Sequence, residues 1–253
     1  MGGRRAAAGG ARRLDLPHDP LGTATLREVG SRVDRIVEAT TAWRQTPAQT
    51  VDVEVDLGGD RRLLGSVRGV RGDVALTTTY STVKAKHRLR AWVELLALTA
   101  QAPDRALSGV LVGRGPKDTT AVVTLGPVSH ADAVQHLREL VELRDAGLRT
   151  PLPLPVATSE AYASARHHRG LSVERARWPA RKEWASGFNV EGEDVDDEHL
   201  LVWGRALSFE QLWDRALDVD EPGSGYDQEP TAFARLSRRL WQPLLENERR
   251  TTA

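Results

Sequence analysis

Val51-Asp52-Val53-Glu54-Val55-Asp56-Leu57-Gly58-Gly59-Asp60 reads as a complete strand followed by its turn. An aliphatic residue alternates with an acid at every step, so one face of the strand is apolar and the other is solvated. Gly58-Gly59-Asp60 supplies the backbone freedom that a tight hairpin needs. The same reading predicts a second strand over Leu63 to Val70, a turn at Arg71-Gly72-Asp73 and a third strand over Val74 to Thr79. Strands joined by short glycine turns make an antiparallel meander.

Helical periodicity flanks the meander on both sides. Leu26, Val29, Val33, Ile36 and Val37 recur at three- and four-residue spacing, which predicts an amphipathic helix over Thr25 to Trp43. Leu89, Trp92, Val93 and Leu96 do the same for a helix over Thr82 to Ala100. Buried strands are expected at Leu107 to Val112 and Ala121 to Leu125, and a helix at Ser129 to Gly147. Thr150-Pro-Leu-Pro-Leu-Pro155 is an extended proline segment, after which the character of the chain changes. Ser159 to Ala165, Phe209 to Leu217 and Thr231 to Glu248 read as helices between polar loops. The chain thus divides into a tail or linker at 1–20, expected to be disordered, an α/β core at 21–157 and a helical C-terminal extension of the same domain at 158–253.

Composition narrows the chemistry. Apolar residues make up 40% of the 253, enough for a real core, and no apolar run is long enough for a membrane span. With no cysteine, disulfides, thiolate zinc sites and thiol catalysis are excluded, and a cytoplasmic setting is expected. The formal net charge of zero argues against a DNA-coating protein but allows a local basic patch. His130/His136 and His167/His168 have no cysteine and no carboxylate at ligand spacing, so no metal site is expected. Glu191 to Glu198 holds six acids in eight residues but lacks the ligand spacing and central glycine of an EF-hand, and reads as a solvated or partner-facing loop. Gly113-Arg-Gly115 is not followed by Gly-Lys-Ser/Thr, so no ATP site is read.

One cluster invites a ligand. Lys84, Lys86, His87, Arg88 and Arg90 crowd the start of the helix after the third strand, and no acid follows until Glu94. A helix N-terminus already carries partial positive charge, so these groups call for an anion: a DNA phosphate, acids of a partner protein, or only solvent. Of the tryptophans, Trp92 and Trp241 are expected in the core. Trp178, Trp184 and Trp203 fall in regions read as irregular, as interface anchors or as local packing.

The core order and the strings Leu64-Gly-Ser-Val-Arg68, Lys84-Ala-Lys-His-Arg-Leu-Arg-Ala-Trp92, Pro151-Leu-Pro-Leu-Pro155 and Phe233 to Leu245 resemble the C-terminal domain of RecC. RecC is the gamma subunit of the RecBCD helicase–nuclease, exodeoxyribonuclease V. The resemblance implies a restriction-endonuclease-like (PD-(D/E)xK) α/β core of helix–β–β–β–helix–β order. Active members of that fold place an aspartate on the second strand and an Asp/Glu-x-Lys triplet on the third, where the carboxylates hold Mg²⁺. Here Arg68 stands at the aspartate position and Thr77-Thr78-Thr79 at the triplet. None of the four lysines, Lys84, Lys86, Lys117 and Lys182, has an acid two residues before it. The resemblance therefore implies a core without catalytic residues, serving to guide double-stranded DNA ends and forks and to scaffold RecB-like and RecD-like subunits. ATP and Mg²⁺ would be used by those subunits, with no cofactor in this chain. It also implies a longer parent, with two helicase-like domains ahead of a linker in which this chain begins. Two alternatives stay open: a nuclease using Asp52, Glu54 or Asp56 on the first strand, and a module that binds only protein.

Overall fold

The computed structural model describes residues 20–188, 190–217, 220–223 and 225–252; the tail expected at the N-terminus lies almost wholly outside them. Helix α1 (Pro20–Ala39) and a 3-10 turn lead into β1 (Gln49–Gly58), β2 (Arg61–Arg71) and β3 (Val74–Thr82). Helix α2 (Ala85–Gln101), β4 (Ser108–Arg114), β5 (Thr120–Leu125) and α3 (His130–Arg149) follow. The remainder holds α4 (Val156–His168), α5 (Val173–Trp184), α6 (Asp197–Trp203), α7 (Phe209–Trp213), α8 (Ala232–Glu246) and β6 (Glu248–Thr252). The protein is a mixed α/β structure around an open six-stranded sheet of order β1-β2-β3-β4-β5-β6. Every neighbouring pair is antiparallel except β3 and β4, which α2 joins in parallel as a crossover helix.

The alternation read from β1 is the alternation of burial. Val53, Val55 and Leu57 point into the main core, and Asp52, Glu54 and Asp56 face solvent. Gly58, Gly59 and Asp60 turn the chain with φ of 79, 58 and 62°. The main core collects Trp92, Leu95 and Leu96 of α2, Leu137 and Leu143 of α3, and Leu236, Leu240, Trp241 and Leu244 of α8. Helix α1 covers the other face, where Ile36 meets Leu76, Val110 and Val112. Its remaining valines, Val29, Val33 and Val37, are exposed.

The C-terminal third departs from the helical extension read in the sequence. Its last segment, Glu248–Thr252, is a strand that pairs with β5 from Glu248↔Leu125 to Thr252↔Ala121 and completes the sheet. Glu-Arg-Arg-Thr-Thr has no apolar alternation; the waiting edge of β5 dictates the strand, not an intrinsic preference. Helix α5 was also unread. Its buried stripe is Ala176, Ala180 and Trp184, too small a set to register as apolar periodicity, and Pro179 interrupts it. Trp178 and Trp184 therefore lie on a helix and Trp203 ends another, not in irregular chain. Trp184 is buried and donates from Nε1 to the Leu207 carbonyl at 2.9 Å, in a second core with Tyr162, Phe209, Trp213 and Phe233. Helix α8 contributes to both cores.

Where β2 and β3 diverge decides the shape of one cleft. The two pair at Val70↔Ala75 and Arg71↔Val74, next to their turn. Just beyond, Gly69 takes φ +75°, and a Cβ there would lie 2.6 Å from the Leu76 carbonyl oxygen. A side chain is thus disfavoured both by conformation and by space. Gly69→Ala is expected to lower the unfolding free energy by at least about 1–2 kcal/mol, measured by urea denaturation.

Candidate functional site: two charged clefts flanking helix α2

The basic run at the start of α2 does not form one patch. Successive helical residues are rotated by about 100°, so Arg88 and Arg90 point to nearly opposite sides.

Arg88 points inward, and its side chain is 3% exposed. It forms a fork on Glu248 of β6, Nε to Oε1 at 2.5 Å and an Nη to Oε2 at 2.6 Å. Its other Nη donates to Glu160 of α4 at 2.6 Å. Arg250 closes the knot, donating to Glu248 at 2.8 Å and to Glu160 at 3.1 Å. The indole of Trp241 lies 5.8 Å from the Arg88 guanidinium carbon. Burial works against the Arg88 charge, but the two carboxylates outweigh it and hold its pKa above the ordinary arginine value. Arg88 is therefore a structural ion, which corrects its reading as a DNA- or partner-binding residue. Its acids lie 72 and 160 residues away in sequence, where local reading finds none.

His87 has a different task. Its Nδ1 accepts a hydrogen bond from the Lys84 backbone N–H at 3.1 Å, closing the first turn of α2. Lys84 and Lys86 remain exposed and form no ion pair among the described residues. They line a cleft of about 890 Å³ with Arg114, the ends of β5 and β6, and the acidic loop after α5.

That loop is anchored. The Glu193 carboxylate accepts from the backbone N–H groups of Ala157 and Thr158 at 2.8 and 2.7 Å, capping α4 from a distance. Asp194 accepts from the Ser186 N–H at 3.0 Å and from its hydroxyl at 2.6 Å. At Gly192 a Cβ would sit 2.2 Å from the Trp184 carbonyl oxygen. The acidic loop, read as solvated or partner-facing, is thus partly internal.

The second cleft, of about 500 Å³, opens where β2 and β3 part. Arg68, Thr77 and Thr78 line it together with Ser66, Arg90 and Glu94. Thr79 is not among them; its hydroxyl accepts from the Ser81 N–H at 3.1 Å. Glu94 is the one carboxylate of this lining and accepts from Arg90 Nε at 3.0 Å. Two guanidiniums against one paired acid make the cleft cationic. Asp52, Glu54 and Asp56 lie elsewhere, on the outer face of β1; Glu54 pairs with Arg62 and Asp56 accepts from the Gly58 N–H. Among the described residues no group of three or more His, Asp or Glu side chains could hold a metal ion. His130 contacts the Thr99 carbonyl, His136 lies near Glu139, and His167 meets Gln242, all within the fold.

Comparison with known proteins places the chain. Residues 4–167 match the model of the RecC C-terminal domain. The chain belongs to this family. It is 38% identical over 237 residues to the RecBCD enzyme subunit RecC of Mycobacterium tuberculosis, covering 94% of this chain. It is also 38% identical over 238 residues to the subunit of the same name from Mycolicibacterium smegmatis. The chain spans 21% of the length of each of these RecC relatives. The aligned lengths reach well beyond residue 167, so the likeness to RecC extends into the C-terminal third.

Two measurements probe this geometry. Glu248→Ala removes the Arg88 fork and leaves Glu160 as its one carboxylate partner, and is expected to cost about 3–5 kcal/mol of stability by chemical denaturation. Arg90→Ala, at a position whose side chain is 79% exposed, should leave the midpoint near that of the parent. Burial, then the Lys86 and Lys84 charges, lowers the His87 pKa below 6.5 against an opposing backbone hydrogen bond at Thr82, and the neutral ring is the form that accepts the Lys84 N–H. Its stabilising contribution is full above about pH 6.5 and is lost as the pH falls through the lower folded value. In His87→Leu, that part of the acid-side decline in Tm should disappear.

Proposed function

We propose that the chain forms the C-terminal part of a RecC (gamma) subunit. In this reading it guides duplex ends and forks and scaffolds RecB-like and RecD-like subunits during ATP-dependent processing of double-strand breaks. It performs no cleavage itself. α1 to β4 then correspond to a PD-(D/E)xK core whose metal site has been lost. The observation that carries this reading is the cleft between β2 and β3, where Arg68 and Arg90 flank a single, already paired carboxylate. Mg²⁺ takes oxygen ligands and octahedral geometry, and two guanidiniums repel it. The same cationic cleft suits a phosphate backbone, which needs donors and no metal. In this reading the work takes place in the cytoplasm; no described helix is long and apolar enough to cross a membrane. ATP and Mg²⁺ chemistry falls to the partner subunits.

The test uses the purified chain with linear and forked duplexes. With Mg²⁺ or Mn²⁺ no cleavage is expected; activity that Asp52→Ala, Glu54→Ala or Asp56→Ala abolishes would overturn the reading. Fluorescence anisotropy should show salt-sensitive binding to the fork, weakened severalfold by Arg68→Ala with Arg90→Ala. Absence of fork binding at low salt would leave only protein scaffolding.

A further inference from the structure

The large cleft beside the start of α2 is lined by both signs of charge. Lys84, Lys86 and Arg114 come from the start of α2 and the end of β4, and Glu183, Glu191 and Asp196 from the end of α5 and the loop after it. Arg114 lies over the Tyr80 ring, and the other five side chains form no ion pair among the described residues. Oppositely charged groups that line one open cleft without pairing call for an occupant that is itself dipolar. We infer that this cleft docks an extended polypeptide segment from a partner protein, with acidic residues toward Lys84 and Lys86 and basic residues toward Glu183 and Glu191. This deepens the scaffolding reading above and rests on it.

The other classes of ligand fit less well. A nucleic-acid strand would bring its phosphates against three unpaired acids, at a cost that grows with each charge. A small molecule would find no aromatic side chain in the lining, whereas such pockets are mostly apolar and aromatic. A polypeptide finds further support. β6 lines the cleft as the last strand of the sheet, and an edge strand offers backbone groups to an extended chain. Just before Glu191 in the chain, the Gly187↔Val190 bridge presents Phe188, which is 95% exposed, and Val190. An aromatic held in solvent on a short turn, directly before the acidic loop, is the kind of anchor that protein interfaces bury. Gly192 and the Glu193 cap fix the acidic wall in advance, so docking does not have to order it.

The test uses the full chain and three fluorescein-labelled probes: a peptide with a glutamate block, a Val-Thr-Val-Thr centre and a lysine block; its counterpart with glutamates at both ends; and a single-stranded oligothymidylate. The mixed peptide should bind most tightly, and its affinity should fall with salt. Lys84→Glu with Lys86→Glu, and separately Glu183→Lys with Glu191→Lys, should each weaken it roughly tenfold, as expected for the loss of two charge pairs and their replacement by repulsion. All four residues are exposed, so the variants should melt as the parent does. The proposal is overturned if the mixed peptide does not bind, if the all-acidic peptide or the oligonucleotide binds as tightly, or if only the lysine changes matter. Fork binding through Arg68 and Arg90 is measured on the same variants. Its loss in the parent chain would count against the DNA-guiding reading alone, and its survival in the lysine variants would keep the two clefts separate.

Discussion

The knot in which buried Arg88 and Glu248 are joined by Glu160 and the more exposed Arg250 is the constraint on which the rest of the chain depends. It joins the start of α2, the N-terminal half of α4 and the first residues of β6. An isolated guanidinium in a protein interior is prohibitive, and a planar fork on a carboxylate is the geometry that makes it tolerable. Arg88 therefore cannot take its place until the end of the chain has returned to the sheet. The C-terminal segment is in this sense part of the core, as the pairing of β6 with β5 also requires. Two arginines against two glutamates leave the knot neutral, so it presents no net charge to either cleft.

This knot also explains where sequence reading stopped. The meander, both flanking helices, β4, β5 and α3 were legible because each carries its own pattern: alternation at β1, heptad-like spacing at α2, a serine cap at α3. Their burial depends on one face of one element. β6 and α5 carry no such pattern. Glu248 is buried in an arginine fork, and α5 is seated by alanines and one tryptophan. Both owe their conformation to partners distant in sequence, and a window of neighbouring residues contains no trace of them. Arg88 was misread for the same reason. In sequence it is one cation in a run of five, and only the fold supplies its carboxylates.

The loss of Arg88 from the basic run changes the meaning of what remains. With Arg88 inside and His87 spent on the helix start, Lys84 and Lys86 open on one cleft and Arg90 on the other. Lys86 and Arg90 lie one turn apart on the same side of α2, so the two environments of different charge balance are separated along the helix, not around it. Around Arg90 and Arg68 the cations outnumber the one paired acid. Around Lys84 and Lys86 the cations share the cleft with an equal number of acids. The sequence sets Lys84, Lys86 and Arg90 within a few residues of each other, but the acids that balance the two lysines are about a hundred residues downstream.

That difference bears on how one domain can handle DNA and protein together. Phosphate binding is governed by the sum of nearby charge and falls off with screening, so acids that line the cleft with the lysines make it a poor track for a strand. Polypeptide recognition depends on the arrangement of charge instead, and charges of both signs add register and direction to it. The acidic loop decides between the two, and its position is not left to chance. Glu193 caps α4, Asp194 is held by Ser186, and Gly192 lies against the last turn of α5. Residues that look like excess negative charge in the sequence are divided by the fold: Glu193 and Asp194 hold the loop in place, and Glu191 and Asp196 line the cleft with the lysines.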